Sequence, residues 1–188
     1  MPSPLDVVVV VGSLRRESFT RRFVEGLIAL APPSLQIEIV PIGDLPLYNQ
    51  DLETSSPPAA WQTFRTRVKR ARAVLFATPE YNRTIPGALK NAIDVGSRPY
   101  GSSVWAGKPA AVVSTSPGAI GAFGANHCVR QSLVFLDMPV LQQPEIYIGG
   151  ADKLFDASGQ WANPATRELA VKFMKAFEAW AVRLASQG

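Results

Sequence analysis

The side chains best suited to hold an anion stand together in Gly12-Ser13-Leu14-Arg15-Arg16-Glu17-Ser18-Phe19-Thr20. Ser13, Ser18 and Thr20 bring hydroxyl donors, and Arg15 brings a guanidinium that can grip a phosphate through two parallel hydrogen bonds. The unbroken run Val7–Val11 precedes them, the pattern of a strand buried on both faces. Phe19, Phe23, Leu27 and Leu30 follow at helical spacing. A strand, a polar turn and a helix N-terminus in that order aim backbone N–H groups and a positive dipole end at one place. Two familiar phosphate loops do not fit. No lysine follows Gly12 at P-loop distance, and the three spaced glycines of a dinucleotide fingerprint are absent. A phosphate cradle therefore stands beside one plainer reading, a turn whose serines only cap the helix.

Other chemistries are thinly supplied. His127 and Cys128 are the only residues of their kinds, and neighbours on a helix diverge by about 100°, too far for a nucleophile–base pair. No G-x-S-x-G elbow precedes His127, and no H-x-x-x-H or C-x-x-C spacing predicts a metal site. His127 reads as a surface or interface residue and Cys128 as a small core filler. Glu80 is a possible general base, although its backbone is as good a candidate for the site as its carboxylate. With acid–base and metal options few, a bound cofactor is expected to carry the chemistry.

Those residues need a scaffold, and the rest of the chain describes one. Leu35–Ile39 alternates strictly, as an edge strand does. Ala73–Ala77 and Pro109–Ser114 are apolar runs that predict further central strands, and a short last strand is expected near Val140 or at Glu145–Ile148. Helices are predicted at Ala59–Ala71, at Ile85–Val95 behind a Thr84 cap, and at Gly121–Asp137 with Ala125, Cys128, Val129, Leu133 and Leu136 inward. A final helix carries Leu169, Phe173, Phe177, Trp180 and Leu184 on one stripe. The alternation is that of an α/β doubly wound parallel sheet with helices on both faces, a single domain over 1–188. Such sheets bind ligands at the carboxyl ends of their strands, where the loops after strands 1, 3 and 4 converge. The irregular piece Pro41–Pro58 is long enough to be functional or to cover something.

Composition narrows the class. The chain has 188 residues, 47% hydrophobic and 18% charged, with a net charge of +4. That is globular, with no apolar run approaching the roughly 20 residues of a membrane span and no secretory signal expected. One cysteine suits the reducing cytoplasm. The basic balance favours anionic small molecules, and no nucleic-acid motif accompanies it. Arg65, Lys69 and Arg72 are expected to share a solvated helix face. Phe123, His127, Arg130 and Val134 make a second stripe that suggests a subunit interface, with Glu145 as a carboxylate for Arg130 across it.

Four segments resemble one family. They are Gly12-Ser13-Leu14-Arg15-x-x-Ser18, Pro79-Glu80-Tyr81-Asn82, Pro86-Gly87-x-Leu89-Lys90-Asn91-Ala92-Ile93-Asp94 and Ser114-x-Ser116-Pro117-Gly118. Together, in that order, they resemble the NADPH-dependent FMN reductase family, which includes quinone, chromate and azo-dye reductases. The resemblance implies a flavodoxin-like five-stranded fold, noncovalent FMN, NADPH or NADH as donor, and a homodimer or homotetramer. It implies hydride transfer to the flavin and then on to quinones, flavins, azo compounds or metal oxyanions such as chromate. It puts Ser13, Arg15, Ser18 and Thr20 on the FMN phosphate. Pro79, Glu80, Tyr81 and Asn82 then run along the isoalloxazine, with Ser116 and Gly118 on its other side. No catalytic side chain is required. Thr20 stands where the family usually has Asn, Val95 where Trp is frequent, and Ala122 where a glycine often follows Gly121. A flavodoxin-type electron carrier without NAD(P)H activity is the alternative, and carriers are usually acidic.

Overall fold

Five successive valines leave the strand β1 (Leu5–Val11) with no polar face, and it takes an interior place in a parallel sheet. The computed structural model describes residues 3–185; the outermost residues of the expected domain, 1–2 and 186–188, lie outside them. The other strands are β2 (Leu35–Val40), β3 (Ala73–Thr78), β4 (Ala110–Thr115) and β5 (Ile146–Ile148), in spatial order β2-β1-β3-β4-β5. Val9 pairs with Ile39 on one side and Leu75 on the other, and Ala77 continues to Val113. Both edge strands alternate between buried and exposed residues, whereas β3 and β4 are buried throughout. Val140 joins Ala110 only through an isolated bridge, so the last strand is the 146–148 segment.

The helices α1 (Phe19–Ile28), α2 (Ala59–Arg70), α3 (Gly87–Gly96), α4 (Phe123–Phe135) and α5 (Pro164–Ala185) cover both faces. Because side chains alternate along a strand, Val7, Val9 and Val11 meet α1 and α5 through Phe23, Leu27, Phe173 and Phe177. Val8 and Val10 meet the other layer, α2, α3 and α4, through Trp61, Phe64, Leu89 and Leu133. Strand order 2-1-3-4-5 with both faces covered is the flavodoxin-like arrangement.

Several local expectations are corrected. Thr84 does not cap α3, which starts at Gly87. Ile85 precedes a proline and is steered away from helical backbone, so Pro86 takes the cap position. Arg65 is not solvated: it pairs with Glu53, donates to Val95 O at 2.8 Å and packs over Trp61. Arg72 lies beyond the end of α2. Cys128 is half-buried, and α4 turns Asn126 inward beside Ala125, Val129 and Leu133. In α5, Ala170, Met174 and Ala181 share the interior with the two phenylalanines, and Leu184 is half-buried. Segment 41–58 does cover something. Asn91 donates to Leu45 O and Pro46 O and accepts from Tyr48 N, and Tyr48 stacks on Trp61 at 5.3 Å.

Candidate functional site

Three loops meet above the carboxyl ends of β1, β3 and β4. The first leaves β1 at Gly12, whose N–H reaches Ala77 O at 2.8 Å. A Cβ there would stand 3.1 Å from Leu89 Cδ2 and 3.4 Å from Pro79 Cδ, so only glycine lets α3 and the β3 loop close in without adjustment. Ser13 follows, 6% exposed, with its hydroxyl bonded to no other described residue. Ser18 is buried beneath and caps α1 by accepting from Arg21 N at 3.1 Å. The amides of Phe19 and Thr20 stay without a partner in the described chain, as first-turn amides do. No acidic residue occupies that first turn. Arg15 has no carboxylate partner among the described residues, and its guanidinium lies 5.4 Å from the Phe19 ring centre.

The second loop leaves β3. Tyr81 and Thr84 exchange backbone hydrogen bonds of 3.0 and 3.1 Å around Asn82 and Arg83, whose φ values are 52° and 68°. Two left-handed residues in a two-residue turn form a tight hairpin, a conformation that asparagine tolerates and arginine adopts at a cost of roughly 1–2 kcal/mol. Glu80 turns its carboxylate to α4, accepting from Ala125 N at 3.0 Å. The cap residue of α4, Ala122, has φ 61° and makes no capping hydrogen bond, so this end of the helix is capped from another element. Ala122 sits in the backbone conformation that a glycine adopts freely.

The third loop leaves β4. Ser116 Oγ donates to Gly118 O at 3.0 Å, and Ser114 Oγ donates to Gly121 O at 2.8 Å. Gly121 has φ +65°, and a Cβ on it would lie 2.5 Å from the Tyr147 carbonyl carbon. Asn126, fully buried, donates to Ser114 Oγ and Ile146 O, both at 3.2 Å. Thr20 Oγ1 and Thr115 Oγ1 are 3.1 Å apart and tie α1 to β4.

A single crevice opens between these loops. Of the residues expected from sequence it brings together Ser13, Arg15, Thr20, Pro79, Glu80, Tyr81 and Ser116. Ser18, Asn82 and Gly118 do not line it: the first is a buried cap, the second an exposed turn residue, the third an acceptor for Ser116. Phe19, Thr115 and Pro117 also line it, without a binding role expected of them. Their signal was positional, since each directly adjoins a residue expected to bind. His127 and Cys128 are apart from it. His127 is exposed on α4, its Nδ1–H donating to Phe123 O at 3.0 Å, and no cluster among the described residues fits a metal ion. Arg130 finds partners within its own chain. It donates to Asn126 Oδ1 and Leu141 O and stands 3.8 Å from Glu145 of its own chain. Burial lowers its pKa, against the opposing pull of Glu145 and Tyr147.

The donor set suits a phosphate monoester. A free hydroxyl, an unpaired guanidinium and two helix N-terminal amides converge with no carboxylate in the helix turn to compete. The apolar walls Pro79, Tyr81 and Pro117 suit a flat ring. Fold and crevice together define a flavodoxin-like mononucleotide-binding protein. Residues 5–153 match the family described as NADPH-dependent FMN reductase, and the chain belongs to that family. It is 62% identical to a quinone reductase of Pseudomonas putida over 180 residues, 96% of each chain. It is 44% identical to a 2-hydroxy-1,4-benzoquinone reductase of a Burkholderia species over 94% of this chain and 96% of the relative. Among solved structures, FerB of Paracoccus denitrificans, a flavoenzyme NAD(P)H:(acceptor) oxidoreductase, superposes with a TM-score of 0.89 at 39% identity. That match covers 95% of this chain and 98% of FerB. The protein is thus an oxidoreductase enzyme whose nucleotides are FMN and NAD(P)H. Among the described residues no helix is long and apolar enough to cross a membrane.

Proposed function

We propose that the crevice holds FMN with its phosphate on Ser13, Arg15, Thr20 and the first amides of α1. Ser18 shapes that helix end, and the flavin ring lies between Pro79-Glu80-Tyr81-Asn82 and Ser116–Gly118. The bound flavin supplies two-electron chemistry between NADPH or NADH and a small-molecule acceptor. The chain's own part would be positioning: uncompensated donors would hold the phosphate, and the loops after β3 and β4 would bear on the ring through Pro79, Tyr81 and Pro117. The observation that carries this reading is the meeting of seven expected residues around a donor set with no acidic residue in the first turn of α1, the Glu80 carboxylate being turned to α4. Quinones are the acceptor class we assign, following the names of the relatives at 62% and 44% identity. Free flavins, azo compounds and metal oxyanions such as chromate are further acceptors that an open crevice admits.

The chain works as one domain over 1–188, as a homodimer or homotetramer in the cytoplasm, with small molecules rather than nucleic acid or a membrane as its partners. Phe123, Val134 and Phe135 expose apolar surface on α4 for such an assembly, and sedimentation velocity at micromolar concentration measures it. A pure electron carrier is not favoured, because the chain is basic and its relatives are enzymes. Anaerobic addition of NADPH, then NADH, to FMN-loaded protein is the test. Prompt bleaching of the flavin band, restored by a quinone, is the expected result; a flavin that keeps its colour under both donors overturns it.

A further inference from the structure

Glu80 lines the crevice, yet its carboxylate is spent elsewhere. Oε2 accepts from Ala125 N, in a helix turn with no acidic residue and no side-chain cap of its own. Directly below lies Gly124. A Cβ on Gly124 would stand 2.9 Å from Glu80 Oε2 and 3.0 Å from Arg83 O, so the carboxylate reaches the helix only because position 124 has no side chain. The same turn of α4 is fastened from its other side by Asn126, which donates to Ser114 Oγ, and Ser114 Oγ in turn donates to Gly121 O. The Glu80–Ala125 bond therefore spans from the 79–84 turn to the helix that continues out of the 116–121 loop. These are two walls of one crevice.

We infer that Glu80 and Gly124 form a latch that sets the spacing of the two crevice walls, and that Glu80 is a positioning residue rather than a proton-transfer group. The inference rests on the FMN reading above. Negative charge at a helix N-terminus and a charge-assisted hydrogen bond make the latch strong, and substituting either partner opens it. Glu80→Ala removes the acceptor. Gly124→Ala leaves Glu80 intact and pushes it aside.

The test is FMN titration by fluorescence quenching on wild type, E80A, G124A, the double variant and E80Q. Ala125 amide exchange is followed in parallel on the flavin-free proteins. Binding is read below each variant's melting temperature, measured by circular dichroism. Each single variant is expected to weaken FMN binding about tenfold, the scale of a lost charged cap, and to speed Ala125 exchange. The double variant is expected to be no worse than the weaker single, and E80Q, which keeps an acceptor oxygen, to recover most of the loss. Losses that add, or an E80A protein with wild-type affinity and exchange, overturn the latch. So does an E80Q protein as impaired as E80A whose pH profile of turnover is also flattened, since that marks a proton-transfer role. A wild-type protein that takes up no FMN fails the functional reading instead, before the variants bear on it.

Discussion

The hydroxyls of Thr20 and Thr115 offer a test of how α1 is held against the sheet. They lie 3.1 Å apart, each the other's side-chain partner, on residues 2% and 1% exposed. Thr20→Val keeps the shape and removes one hydroxyl, leaving the other buried and unpaired at a cost of about 1–3 kcal/mol. Thr115→Val does the same from the other side. Replacing both leaves no orphan, and methyl groups pack where hydroxyls met, so the double variant is expected within about 1 kcal/mol of wild type. Taking about 2 kcal/mol per single variant and about 3 °C per kcal/mol for a domain of this length, each lowers Tm by roughly 6 °C. Urea unfolding of the flavin-free protein, read by the fluorescence of buried Trp61 and Trp105, measures the cycle at constant m. A double variant that loses the sum of the two single losses refutes the reasoning. FMN titration of that stable double variant then measures what the Thr20 and Thr115 hydroxyls together add to binding in the crevice.

Two other outcomes follow from the structure. Gly121→Ala puts a Cβ 2.5 Å from a backbone carbon at φ +65°, and is expected to cost about 3 kcal/mol or to distort the 116–121 loop, which denaturant melts measure. Lys108 donates to Lys69 O and Ala71 O at the end of α2, while burial first, then Arg72 and Lys69, lower its pKa from the usual 10.5. A lysine whose folded pKa is depressed binds its proton more weakly in the folded state, so its charge opposes folding at neutral pH. That opposition fades as pH rises through the folded value toward 10.5. Melts of wild type and Lys108→Met are expected to shift in favour of wild type across that window; a pH-independent difference contradicts this.

What the sequence disclosed and what it hid divide along physical lines. The valine run of β1 and the apolar runs of β3 and β4 announce buried parallel strands, because a strand with helices on both faces has no polar side to show. The candidate crevice was legible at its loops, where Gly12, Ser13, Pro79 and Ser116 interrupt those runs at strand ends. Through-space partners were not. Nothing near Glu80 in the chain points to Ala125, 45 residues on. Arg65 looked solvated because its carboxylate, Glu53, sits in the irregular 41–58 segment, whose path no periodicity predicts. Asn126 looked less interior than Cys128 because a buried amide is tolerable only with partners, and those lie on β4 and β5. Arg130 was given Glu145 across an interface, and the fold supplies that residue within one chain.

The central claim is that a nucleotide phosphate is gripped where β1 bends into α1. Its most direct measurement is FMN binding by the Ser13→Ala, Arg15→Ala double variant beside wild type, with circular dichroism confirming that both are folded. Each lost charge-assisted donor is worth about 1.5–3 kcal/mol, so affinity is expected to fall at least about 100-fold and the purified variant to be colourless. A folded double variant that retains FMN with wild-type stoichiometry and affinity contradicts the account.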